Sequence, residues 1–90
     1  MTDGQEWQVL WTSEGWRSLK HVPPRVLPAI VNFVNERLVL DPWRTTHALH
    51  SPLDNYRSGR VGSYRVMVKI DTENKVIYVV KAAYHADVYR

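Results

Sequence analysis

No cysteine occurs among the ninety residues. Disulfide scaffolds, zinc–thiolate sites and thiol nucleophiles are therefore excluded together, and the chain is compatible with a reducing compartment. No apolar run approaches the roughly 20 residues needed to cross a bilayer. The first residues, MTDGQEWQVLW, are acidic where a signal peptide is basic. These absences lead us to expect a soluble, cytoplasmic protein. The length allows one domain, 1–90, with a single modest core, so a substrate must be met at the surface or in a shallow cleft. Catalytic signatures are also scarce. Gly59 and Gly62 do not form a phosphate loop, and Ser13, Ser51, Ser58 and Ser63 lie in cap or loop contexts without a Ser-His-Asp pattern. His47 and His50, three apart in HALH with His85 or Asp54 as a third ligand, are a weak metal signal beside the plainer reading of solvated loop histidines. No metal and no cofactor is implied.

Charge is unevenly placed. Residues 1–44 carry five basic and five acidic side chains, so the whole net charge of +3 comes from residues 45–90, seven basic against four acidic. The stretch YRSGRVGSYRVMVKI (56–70) holds Arg57, Arg60, Arg65 and Lys69 with no acid. That is the footprint of a surface meeting phosphate or an acidic protein, and also of a strand kept soluble on its wet face.

The periodicity supplies a frame. EWQVLWT (6–12) alternates and predicts a strand. Ser13 then fits an N-cap for a short helix, EGWRSLKHV, with Trp16 and Leu19 inward. Pro23 and Pro24 end that helix and open the next. In the second helix, from Arg25 to about Leu40, the residues Val26, Ile30, Phe33, Val34 and Leu38 form one apolar stripe, and Asp41-Pro42 stops it. Residues 43–55 show no period and read as loop. A strand over 57–61, broken by Gly59 and Gly62, precedes YRVMVKI, a DTEN turn and KVIYVVKA. The order β-α-α-β-β-β predicts an α+β fold: a small, mostly antiparallel sheet with a helical hairpin packed on one face. Arg65 and Lys69 belong to the uncovered face.

The remaining set, Arg57, Arg60, Arg65, Lys69, His85 and Tyr89, has no strong carboxylate base. RNA cleavage can run on such a set, because RNA supplies its own nucleophile, the ribose 2′-hydroxyl. The protein must remove that proton, stabilise the charge on the phosphorane and protonate the leaving 5′-oxygen. Arginine suits the second task, since its planar fork binds two phosphate oxygens and stays charged. Histidine transfers protons near neutral pH, and tyrosine can do so or stack on a base. For KAAYHADVYR, the terminal stretch, the alternative is a frayed polar end.

RVGSYRVMVKI, a charged turn and KVIYVVKAAYHADVYR, placed behind a strand and a helical hairpin, resemble the RelE/ParE superfamily of bacterial toxins, most nearly its RelE-type mRNA interferases. The resemblance covers nearly the whole chain. It implies the toxin of a toxin–antitoxin pair, partnered by a cognate antitoxin, that enters the ribosomal A site and cuts mRNA without metal. Gly62-Ser63-Tyr64-Arg65 matches the family's Tyr-Arg element, giving Arg65 the scissile phosphate. Arg60 matches the second member of a basic pair, and Tyr89 matches the terminal tyrosine. Ser58 stands where the first basic member belongs, with Arg57 displaced by one, and a bulge at Gly59 would bring it back. His85 stands where the family most often has arginine, as a general acid. Arg57, Lys69 and Arg90 are further RNA contacts. The alternatives are a ParE-like inhibitor of DNA gyrase without nuclease activity, and a non-catalytic RNA- or protein-binding member of the fold.

Overall fold

The computed structural model describes residues 7–89. Five strands, β1 (Gln8–Trp11), β2 (Thr46–Ala48), β3 (Arg57–Val61), β4 (Tyr64–Asp71) and β5 (Val76–Tyr84), form one sheet in the order β1-β5-β4-β3-β2. β1 runs parallel to β5 and every other neighbour is antiparallel. The expected α+β architecture holds, with one addition: the stretch read as loop contains β2, which pairs with β3.

Both helices cover the same face. α1 (Ser13–Ser18) continues as a 3-10 turn over Leu19–His21, and α2 (Leu27–Asn32) continues as a π-helical stretch over Phe33–Leu38. Gly15 lets α1 touch β5, because a Cβ there would collide with the Val79 carbonyl oxygen. Gly59 takes the Phe33 ring edge, where a Cβ would lie 2.5 Å from Cζ. Gly59 opposes Val66 and Val79 opposes Val68, so these contacts fall on one side of the sheet. This also explains why β3 is not broken at Gly59: the glycine fills a place where no side chain fits.

The apolar stripe of the second helix is the core. Ile30, Phe33, Val34 and Leu38 are buried against Val66, Val68, Ile77, Val79 and Ala82. Two details of α1 differ from expectation. Thr12, not Ser13, is the N-cap: its Oγ1 accepts from the Gly15 N–H at 2.9 Å and donates to the Val79 carbonyl at 3.2 Å, which ties the helix start to β5. Trp16 is 65% exposed rather than inward, because the helix makes its closest approach through Gly15; the indole instead meets Trp11 edge-on at 6.2 Å.

The C-terminal residues are held rather than frayed. The His85 N–H donates to Ser63 O at 2.9 Å, the Asp87 N–H donates to Tyr84 O at 2.8 Å, and Val88 is buried. Tyr89 is thereby carried back over the sheet.

Candidate functional site

The side of the sheet without helices is organised by strand alternation. Val66 and Val68 point into the core, so Arg65, Met67 and Lys69 point the other way. β3 pairs with β4 without interruption, Ser58 against Met67 and Arg60 against Arg65, so Ser58 and Arg60 share that open face. Arg60 and Arg65 are direct cross-strand neighbours. Such like-charge pairs oppose strand pairing, and no carboxylate makes an ion pair with either guanidinium among the described residues.

A cleft of about 180 Å³ opens there, lined by His47, Leu49, Ser58, Arg60, Arg65 and Tyr89. Strand β2 contributes His47, β3 contributes Ser58 and Arg60, β4 contributes Arg65, and the docked C-terminal residues bring Tyr89. Three of the four residues expected to be catalytic are therefore together. His85 is one residue beyond β5, exposed, with its ring 4.5 Å from that of Tyr84, and it is not among the residues lining the cleft.

Of the three expected RNA contacts, Arg57 and Lys69 lie elsewhere. Arg57 opposes Val68 and therefore faces the helix side; the irregularity in the sheet falls between Met67 and Val68 in the β4–β5 pairing, not at Gly59. Its guanidinium donates to Thr46 Oγ1 at 2.7 Å, to Thr46 O at 2.8 Å and to Trp43 O at 3.2 Å, and lies over the Trp43 ring at 5.0 Å. The residue thus fastens β2 to β3. Lys69 lines a different and larger hollow of about 600 Å³, whose rim carries Asp71 and Glu73. The Asp71 carboxyl is held below the usual carboxylate range, chiefly by the hydrogen bond from the Asn74 side chain. Two acids beside one lysine suit a phosphate less well than the Arg60–Arg65 cleft does. Arg90 lies outside the described residues.

Two cleft residues carry little signal of a site in the sequence. His47 sits in a three-residue strand with no visible period. Ser58 is 5% exposed, and its Oγ is buried without a hydrogen-bond partner. Among the described residues no group of three or more His, Cys, Asp or Glu could hold an ion, and His47 and His50 belong to no such group. No helix among them is long and apolar enough to cross a membrane.

Fold and site together define a small α+β domain that holds a cross-strand arginine pair in a cleft on an open sheet face. No protein-family model matches the chain. Its sequence is 34% identical over 82 residues to "Toxin RelG" of Mycobacterium tuberculosis, covering 91% of this chain and 94% of that protein. It is 30% identical over 90 residues to "Toxin RelE" of the same organism, covering 100% and 93%. Among solved structures, the toxin–antitoxin complex RelBE2 from M. tuberculosis contains a chain that superposes with TM-score 0.82 at 31% identity, covering 87% of this chain and 96% of that one. A chain of the archaeal RelE–RelB complex from Pyrococcus horikoshii shares the fold, with TM-score 0.67 at 19% identity over 91% and 98%. The chain belongs to the RelE/ParE toxin superfamily.

Proposed function

We propose that this protein is the toxin of a toxin–antitoxin pair and a metal-independent endoribonuclease that cuts mRNA in the ribosomal A site. The observation that carries this reading is the Arg60–Arg65 pair. Two guanidiniums placed directly opposite each other, with no carboxylate partner among the described residues, are stabilised when a phosphate enters between them. Their charge then opposes the charge that builds up as the 2′-hydroxyl attacks the adjacent phosphorus. Tyr89 completes the wall, placed to stack on a base or to share in proton transfer. His85 can take the acid role only if its ring leaves Tyr84 and turns toward the cleft. The names of the relatives, both toxins, and of the RelBE2 complex support the toxin role and an antitoxin partner.

One observation favours a second reading, a ParE-like gyrase inhibitor. β3 continues through Gly59 without a bulge, so Arg57 does not rejoin Arg60 and the basic pair is halved. Brief induction in cells followed by mapping of mRNA 5′ ends separates the two. Codon-phased cuts within translated regions are the expected result. DNA damage with intact mRNA would overturn the ribonuclease reading.

A further inference from the structure

We propose that His47 is the catalytic proton-transfer residue of the cleft and that the Ser58 hydroxyl positions its ring. This inference rests on the ribonuclease reading above and names the residue that reading leaves open.

The direction of His47 is set from the back of the sheet. Thr46 is buried, donates from its Oγ1 to Pro42 O at 2.6 Å and accepts from Arg57 Nε. With Thr46 fixed toward the helices, alternation turns the next residue, His47, toward the open face. The register agrees, since His47 opposes Ser58, which shares that face with Arg60 and Arg65. His47 accordingly lines the cleft. The space is about six water molecules' share of liquid volume, enough for a phosphate and the sugar oxygens beside it.

Chemistry narrows the role. The guanidiniums of Arg60 and Arg65 are donors without an acceptor site, so they cannot take the proton. A tyrosine hydroxyl can give a proton but is a weak acceptor of one. Leu49 and Ser58 offer no usable titration. Of the side chains lining the cleft, the His47 imidazole is the one whose chemistry suits both taking and giving a proton.

Ser58 supplies the second, independent observation. A buried hydroxyl without a partner is costly, and native proteins keep few such groups. The exposed side chain directly across from it is His47, whose ring can turn over the strand pair. One ring N–H then donates to Ser58 Oγ, which fixes the tautomer and leaves the other nitrogen's lone pair for the substrate. His47 takes the 2′-hydroxyl proton as the 2′-oxygen–phosphorus bond forms. The bond from phosphorus to the 5′-oxygen breaks, and that oxygen leaves with a proton from the Tyr89 hydroxyl, which is restored from the His47 imidazolium through water. The products are a 2′,3′-cyclic phosphate and a 5′-hydroxyl, with no net proton consumed.

The test is single-turnover cleavage of mRNA on programmed ribosomes between pH 5 and 9. The wild type should show a rate that rises with pH and levels off above a single ionisation. His47→Gln should lower the plateau by about 10²–10⁴ and abolish the rise, while thermal unfolding stays unchanged. Added imidazole should accelerate His47→Gly and leave the wild type unaffected. Ser58→Ala should lower the rate and keep the rise, and Ser58→Thr, which retains a hydroxyl, should recover part of it. His50→Gln, three residues along, should match the wild type. If the wild type cuts and His47→Gln cuts as fast, or more slowly with the same pH dependence, the proposal fails while the ribonuclease reading stands. It fails in the same way if His85→Ala rather than His47→Gln removes the rise. If the wild type does not cut ribosome-bound mRNA, the reading and the proposal fall together.

Discussion

Arg60→Gln should make the fold more stable and cleavage far slower. Arg60 is exposed, and its Nε reaches the Gly62 carbonyl only at 3.5 Å, so the substitution removes little packing and no strong hydrogen bond. What it removes is a charge directly across the ladder from Arg65. Relief of such a pair is worth about 0.2–1 kcal/mol. In a domain of this size each kcal/mol moves Tm by about 4–8 °C, so a rise of about 1–8 °C is expected at low salt. The gain should shrink toward 1 M salt, where the screening length falls to about 3 Å. The same change deletes one of the two forks that grip the phosphate. Losing a preorganised donor to a developing oxyanion costs about 10²–10³ in rate, or about 2.7–4 kcal/mol. Arg60→Lys separates the contributions: it keeps the repulsion and should leave Tm near the wild-type value, but a point charge in place of the fork should still slow cleavage. Calorimetry beside single-turnover cleavage on programmed ribosomes measures both. An Arg60→Gln protein that melts lower, or that cuts at the wild-type rate, would refute the claim that this pair is kept for an anion.

Arg57→Ala should destabilise by about 2–4 kcal/mol, because three hydrogen bonds from its guanidinium and its contact over Trp43 are lost together. Arg57→Lys should recover little of this, since an ammonium cannot reproduce the fork; denaturant titration reads both. If Arg57 gripped RNA instead, the variants would lose activity with an unchanged unfolding curve. Gly15→Ala should cost about 1–3 kcal/mol, read from the same curves, because the added methyl meets the Val79 carbonyl and α1 must lift from β5. Asn74→Ala should alter the acid limb of Tm against pH. The Asn74 side chain lowers the folded-state pKa of Asp71, so this contribution is complete above the unfolded carboxylate value and fades as pH falls through the lowered one. Removing the amide should leave a smaller loss of Tm over that interval, and an unchanged limb would count against the assignment.

What could be read in the sequence was what local pattern controls. The stripe Ile30, Phe33, Val34, Leu38 needs only helical spacing, and it is the core. The alternation of YRVMVKI needs only a pleat, and it puts Arg65 and Lys69 opposite the buried valines. β2 has no such signature. Three residues, Thr46–Ala48, become a strand because a guanidinium eleven positions away donates to both oxygens of Thr46, and that contact does not exist until β3 is in place. The cleft inherits the same non-locality, with one wall from β2, two from β3 and β4, and a lid residue from the docked C-terminus. His47 consequently looked like a solvated loop histidine, and Ser58 like a gap in a basic pair. The available clue was the phase of Arg57. A cation one residue out of step with Arg60 must serve the other face of its strand, where a charge among core residues needs acceptors. The unassigned segment 43–55, which directly precedes that strand, could supply them. Following that requirement brings Thr46 to Arg57, and with Thr46 turned inward its neighbour His47 has nowhere to point but into the cleft.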